Sequence, residues 1–171
     1  METTTAMLIS VFPALLIAAA LRDVGTMTIP NWISAALIVG FFPTAFAVGL
    51  APIAVAAHVG AGLVALMIGA GLFAARVFGG GDAKVMAAAC LWLGFAATPQ
   101  FLMWTAAAGG VFALTLVLVR GQLAPYAAAA PGWVGRLLTP KGDIPYGVAI
   151  AAGALAAYPE SPLVRGFTGV F

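Results

Sequence analysis

The stretch Phe78–Gly94, FGGGDAKVMAAACLWLG, places an acid and a base beside three glycines at the start of an apolar run. Charged residues are rare elsewhere, since they make up 7% of the 171 residues, against roughly 25% in soluble domains. Hydrophobic residues account for 64%, and the mean hydropathy is +1.13. The sequence therefore predicts an integral membrane protein, in which a carboxyl group beside an apolar run costs free energy and needs an explanation.

Glycines, prolines and polar residues divide the chain into six apolar runs. Because each crossing of a hydrocarbon core about 30 Å thick takes about 20 residues, six crossings use most of the chain. We therefore expect an all-α fold, a compact bundle of six transmembrane helices in a single domain over residues 1–171, with the first run retained rather than cleaved as a signal. The fourth and sixth runs are short, which leaves a partly re-entrant path open for them. The runs cover about residues 6–21, 32–50, 53–77, 83–96, 101–119 and 144–158.

Basic residues give the predicted bundle an orientation. Six of the seven Lys and Arg residues fall in connections on one side, whereas the opposite side has nearly uncharged links around Ala51 and Pro99. The positive-inside rule therefore predicts that the base-rich side faces the cytoplasm and that both termini lie outside. The six bases are Arg22, Arg76, Lys84, Arg120, Arg136 and Lys141.

The charge pattern and the cysteine count exclude other kinds of site. The pI of about 9.0 comes from scattered bases and not from a basic stripe, so we expect no nucleic-acid partner. Cys90 is the single cysteine and lies within an apolar run, so we expect no intramolecular disulfide and no cysteine metal cluster. We predict neither a metal site nor a cofactor.

Two of the acids at the predicted cytoplasmic face, Asp82 and Asp143, have an ordinary structural explanation. Each precedes an apolar run, where a carboxylate stabilises a helix by accepting hydrogen bonds from its first free amides. Asp143 is followed by Ile144 and Pro145, which is typical of a helix start. The three glycines before Asp82 exceed what a cap requires, because they allow unusual backbone angles and the close approach of another backbone. A functional role for Asp82 therefore stays open.

Asp23 lacks that explanation, because it lies at the C-terminal end of the first run, where the helix dipole disfavours negative charge. A surface ion pair with Arg22 is one alternative. The other is a loop position held against the bundle, since the run TIPNW predicts a turn and a helix start at Pro30 and Asn31. A carboxyl group fixed in this way suggests chemistry.

Two carboxyl groups from different helices activate water when one is ionised and takes a proton while the other is protonated and polarises a carbonyl. The same pair suits a proton or cation relay in a small transporter. Spacing alone does not distinguish between water activation and a proton or cation relay. A relay needs polar groups that continue towards the middle of the membrane, however, and the runs offer only His58 and a few hydroxyls such as Ser34 and Thr105.

Two motifs in order resemble those of the prepilin peptidases, which are aspartic proteases of the GxGD type. The run DVGTMTIPN, Asp23–Asn31, looks like the first aspartate motif, in which Pro-Asn follows the aspartate. The run GGGDAK, Gly79–Lys84, matches the second, the GxGD signature. The run IPYGVAIAAGAL, Ile144–Leu155, resembles the last span, so the resemblance covers nearly the whole chain. Within the family, the chain looks most like the short CpaA/TadV-like form of Flp (tight adherence) pili.

The resemblance implies an endopeptidase that removes the short basic leader of Flp-type prepilins and pseudopilins. Cleavage after a glycine is expected at the cytoplasmic boundary of the bacterial inner membrane. The long form of the family has paired cysteines in an N-terminal region and methylates the trimmed pilin. Because this chain lacks those cysteines, we expect no methyltransferase activity and no zinc. The lipid bilayer and the pilus assembly machinery are further expected contacts.

The resemblance also implies that Asp23 and Asp82 are the catalytic pair. The glycines before Asp82 would make room for an extended substrate, because a helical substrate must unwind before water attacks it. For Lys84 the alternatives are contact with a substrate carbonyl, tuning of a carboxyl group, or a lipid-headgroup anchor. The expected supporting or substrate-binding residues are Pro30, Asn31, Gly79, Gly80, Gly81 and Lys84.

Other features receive structural interpretations. His58 is expected to be packed or to face lipid, far in depth from the aspartates. The proline-containing loop at residues 120–142 is expected to lie on the cytoplasmic headgroups or to guide the substrate. A third class of function, a catalytically silent assembly factor for pili, predicts that both aspartates can be exchanged without effect.

Overall fold

The computed structural model describes residues 2–140 and 142–169, and all regular structure in these residues is helical. The predicted all-α class is therefore confirmed. Two short 3₁₀ helices, Ala124–Ala129 and Tyr158–Glu160, accompany the α-helices. The α-helices are α1 Glu2–Thr26, α2 Asn31–Val48, α3 Pro52–Ala74, α4 Gly80–Leu123, α5 Gly132–Leu138, α6 Gly147–Ala157 and α7 Pro162–Thr168.

Four helices, α1 to α4, are long and apolar enough to cross a membrane. The segment Gly147–Glu160, together with α7, makes a fifth if the two are one span with a bend of 42°. The count in the described residues is thus four to five, and the predicted six is not confirmed. Lys141, one of the bases that oriented the predicted bundle, lies outside the described residues.

The 44-residue helix α4 is interrupted at Gly94, where φ is 64° and ψ is 178°. A straight helix would separate Asp82 from Arg120 by about 57 Å. Asp82 instead lines the same cleft as Asp143, whose backbone carbonyl accepts a hydrogen bond from Arg120. The helix therefore folds back on itself, with a first arm at residues 80–93 and a second arm at residues 95–123. The break lies at Gly94 and not at Pro99, where the sequence had placed it.

The first arm is about 21 Å long, which is less than a hydrocarbon core of about 30 Å. Its end is stabilised by His58 of α3. Gly94 interrupts the helix three residues after Leu91, and Nδ1 of His58 lies 2.8 Å from the Leu91 carbonyl oxygen. Since the carbonyl only accepts, the ring proton lies on Nδ1. His58 is 3% exposed and stacks near Phe41, so the packed alternative is confirmed.

The core is centred on Trp92, which is fully buried between α1, α2 and the C-terminal part of the chain. Its ring stacks with Phe12 at a centroid distance of 5.1 Å, and its Nε1 donates a hydrogen bond to the Leu37 oxygen at 2.7 Å. Large apolar side chains also cover the outside, with Phe46 88% and Ile53 79% exposed. An apolar outer surface of this kind suits hydrocarbon and not water.

Candidate active site

Asp23 lies in the last turn of α1, because the helix continues to Thr26, beyond the end of the apolar run. The predicted loop position is therefore wrong. The carboxyl group is buried, 5% exposed, and its Oδ2 accepts a hydrogen bond of 2.7 Å from the amide of Gly147. Burial against α6 also excludes the alternative of a surface pair with Arg22, whose side chain is exposed. The positive N-terminal end of α6 offsets the unfavourable C-terminal end of α1.

The chain turns sharply where α1 ends, after Thr26. Met27 adopts a left-handed conformation with φ 55°, and its amide donates to the Asp23 carbonyl at 2.7 Å. Arg136 of α5 donates a hydrogen bond to the Gly25 carbonyl, which stabilises the exposed end of α1. Pro30 then occupies the N-cap position of α2, whose first residue is Asn31. The turn and helix start predicted at these two residues are confirmed.

Asp82 lies in the first turn of α4 and is partly buried. Gly79, just before the helix, gives its carboxyl group room, because a Cβ there would lie 2.6 Å from Oδ2 of Asp82. A Cβ at Gly81 would lie 3.3 Å from the Ile29 carbonyl oxygen, and one at Gly80 would lie 3.2 Å from the ring of Phe73. These three glycines thus allow the Asp82 carboxyl group, the Ile29 backbone and the Phe73 ring to approach the main chain closely.

The predicted use of unusual backbone angles by these glycines is wrong. Within residues 2–140 and 142–169, positive φ angles among glycines occur only at Gly49, Gly94 and Gly169. Gly81 instead brings the GxGD-like segment against the backbone of the loop before Pro30. The two sequence motifs therefore pack directly on each other, which holds Asp82 close to the end of α1.

Asp23 and Asp82 line one cleft of about 760 Å³, between the end of α1, the α3–α4 connection and the start of α6. The rings of Phe78 and Tyr146, both at the cleft, lie 6.2 Å apart between centroids. A third acid, Asp143, lines the same space. The full lining is Asp23, Met27, Leu72, Val77, Phe78, Gly79, Asp82, Asp143, Ile144, Pro145 and Tyr146.

Asp143 does not cap a helix as the sequence predicted, because α6 begins only at Gly147 and the side chain of Asp143 is exposed at the cleft. The segment 142–146 is held by Arg120 of α4, which is 8% exposed. Its guanidinium donates to the carbonyls of Leu137 at 2.6 Å, Gly142 at 2.9 Å and Asp143 at 2.7 Å. In the sequence, Arg120 served only as one of the bases that orient the predicted bundle. The signal that pointed to a structural role is its position as a base directly at the end of an apolar run, in VLVR.

Lys84 and Asn31 are brought together, but away from the cleft. Nζ of Lys84 donates to Oδ1 of Asn31 at 2.9 Å, and both residues line a separate groove between α2, α3 and α4. Neither residue lines the space shared by the acids. In the described part of the chain, no group of three His, Cys, Asp or Glu side chains is arranged to hold a metal ion. The polar side chains that line the cleft are those of Asp23, Asp82, Asp143 and Tyr146.

A family model for the type IV leader peptidase family matches residues 10–114, which is more than half of the chain. The chain belongs to the type IV leader peptidase family. No curated protein and no solved structure is significantly similar to it. The protein is therefore a membrane-associated leader peptidase, a hydrolase that acts on prepilins.

The matched segment of this leader peptidase includes both aspartate motifs, with Asp23 and Asp82. Three residues that shape the cleft, Arg120, Asp143 and Gly147, lie beyond the match. The tertiary structure is what connects them to the matched part. Arg120 holds the segment that leads to α6, and α6 begins with the amide that binds Asp23.

Proposed function

We propose that this leader peptidase is an aspartic endopeptidase that uses Asp23 and Asp82 as its catalytic pair. The observation that supports it most is that these carboxyl groups, on different helices, line one cleft at one end of the bundle. The Gly147 amide occupies one side of Oδ2 of Asp23, and a carboxylate has about four lone-pair positions in all. Among the described residues, Gly147 is the one hydrogen-bond donor to this carboxyl group, which leaves positions at which a water molecule can bind.

In the proposed reaction, the ionised carboxyl group takes a proton from water while the protonated one donates a hydrogen bond to the scissile carbonyl. The water oxygen then bonds to the carbonyl carbon. Collapse of this intermediate breaks the C–N bond, and the proton taken from water goes to the leaving amine. Both carboxyl groups return to their starting states, so the reaction consumes only water.

The proposed substrate is an Flp-type prepilin or pseudopilin, cut after a glycine between its short basic leader and its hydrophobic helix. This finer assignment rests on the resemblance of the motifs to the CpaA/TadV-like form. We further propose six crossings of the bacterial inner membrane, with both termini outside and the cleft at the cytoplasmic face. The fold-back of α4 at Gly94 supports the six-span topology, because its two arms run in opposite directions. We propose peptidase activity without methyltransferase activity.

Co-expression with a candidate Flp-type prepilin tests the proposal. Leader removal is followed on a gel, and the mass of the product shows whether its new N-terminus is methylated. We expect Asp23→Asn and Asp82→Asn each to abolish cleavage while the protein still accumulates in the membrane. Glu160→Gln is the matched control, since Glu160 pairs with Arg165 outside the cleft. Cleavage that survives either aspartate change would exclude the pair and make proton or cation flux in proteoliposomes the next measurement.

A further inference from the structure

The consecutive helices α2 and α3 scarcely touch each other, although both pack against α4. The space between them is a groove of about 420 Å³, whose base is formed by the first arm of α4. Among the described residues, none that lines this groove also lines the cleft that holds the aspartates. Its walls are mainly apolar, with Ile38, Phe42, Val59, Leu63, Leu66 and Leu91 among them.

Three residues with polar side chains lie at one end of this groove. Asn31, Ser34 and Lys84 line it there, at the end of the bundle that also carries the cleft. The Lys84 ammonium has three donors, and one of them is used by Asn31. No acid is found among the described residues that line the groove. The exposed Lys84 side chain therefore places a positive charge at one end of an apolar groove.

The length of the groove distinguishes between possible occupants. It follows α2 from Asn31 to Phe42, which corresponds to about 16 Å of helix. That is about half of a hydrocarbon core about 30 Å thick. A transmembrane helix needs the whole thickness, whereas a lipid acyl chain occupies one leaflet.

We propose that this groove binds one anionic phospholipid, with its phosphate on Lys84 and Asn31 and one acyl chain between α2 and α3. Basic pockets between membrane helices bind anionic headgroups in this way. The acyl chain covers apolar walls that neighbouring helices leave open. The site is independent of the proposed peptidase chemistry, because no residue that the structure describes lines both this groove and the aspartate cleft.

Native mass spectrometry tests the site. The protein is placed in nanodiscs with equal amounts of phosphatidylglycerol and phosphatidylcholine, and the lipids that remain bound after release are counted. We expect wild type to retain phosphatidylglycerol preferentially, and Lys84→Gln to lower that preference about fivefold. The matched control is Arg22→Gln, because Arg22 is an exposed base that does not line the groove.

A second pair of variants tests the apolar part. Ala35→Leu fills the groove from its exposed rim and should reduce retention of both lipids, while Ala56→Leu, on an exposed face of α3 outside the groove, should leave it unchanged. The proposal is wrong if Lys84→Gln keeps the preference of wild type, or if Arg22→Gln loses as much. A competition experiment gives a further contradicting outcome. If an apolar transmembrane peptide displaces the bound lipid from wild type, and does not do so from Ala35→Leu, the groove is a helix-binding site and the proposal is wrong.

Discussion

The amide of Gly147, the first residue of α6, donates a hydrogen bond of 2.7 Å to Oδ2 of Asp23 on α1, across 124 positions of sequence. This contact joins the C-terminal end of one helix to the N-terminal end of another. A carboxylate is unfavourable at the first and favourable at the second. The position of α6 therefore decides whether Asp23 has a stable place in the cleft.

Gly147→Ala should inactivate the enzyme, because a Cβ at this position would lie 2.9 Å from both Cβ and Oδ2 of Asp23. Either Asp23 or the start of α6 must then move. Because Asp23 is one of the proposed catalytic pair, a misplacement of about 1 Å is expected to lower the rate by about 100-fold. The measurement is leader removal in membranes that contain equal amounts of each variant.

Gly110→Ala is the matched control, since Gly110 lies in the second arm of α4 and a Cβ there meets nothing within 4 Å. We expect it to keep wild-type activity and to be slightly more stable, because alanine favours a helix over glycine by about 1 kcal/mol. Equal activity in the two alanine variants would show that the contact between Gly147 and Asp23 is unimportant.

Arg120→Lys should loosen the segment 142–146 although the charge is kept. Lysine cannot reproduce the fork with which Arg120 reaches three carbonyls. Each lost hydrogen bond from a charged donor costs about 1.5–3 kcal/mol. We expect a lower melting temperature in detergent, faster proteolysis after residue 138, and a reduced kcat for leader removal.

Arg165→Lys is the control for this change, because Arg165 is about half exposed and pairs with Glu160 away from the cleft. It should behave as wild type in all three measurements. If Arg120→Lys melts lower but cleaves at the wild-type rate, Arg120 stabilises the fold without positioning the site.

Asp143→Asn should weaken binding of a basic leader while leaving the chemical step intact. Asp143 lines the cleft but is exposed, so its attraction for a cationic residue is screened by water. We expect KM to rise by about two- to fivefold at low salt, with kcat unchanged. The effect should disappear at high salt, or with a leader whose bases are replaced by glutamine. A complete loss of kcat would instead make Asp143 a member of the catalytic pair.

Gly94→Ala should destabilise the fold, since φ at Gly94 is 64° and a Cβ would lie 2.9 Å from the ring of His58. Holding a residue other than glycine in this conformation costs about 1–3 kcal/mol before the clash is counted. Thermal melting in detergent measures the loss. Adding His58→Ala removes the clash but not the strain, so the double variant should remain less stable than His58→Ala alone.

The membrane class and most of the helices followed from the sequence, because burying uncompensated charge in hydrocarbon is so unfavourable that apolar runs are nearly unambiguous. The same argument singled out Asp23 and Asp82 as acids in need of a reason, and the proline in TIPNW indicated the helix start at Pro30 and Asn31. The ends of the helices were predicted less accurately. Asp23 proved to be helical, and α4 breaks at Gly94. The break could not be predicted from the sequence, because nothing local separates Gly94 from the other glycines; its positive φ and its contact with His58 are tertiary features.

Only the tertiary structure decided which residues complete the cleft. The helices are apolar nearly all round, so their sequences do not say which face meets a neighbour. Asp143 therefore looked like a helix cap, and Arg120 like a loop base. The sequence by itself determined which residues resist burial in lipid, because that depends on each residue alone. The structure decided that Gly147 meets Asp23 and that Arg120 holds the segment between them, because those contacts depend on how distant helices pack.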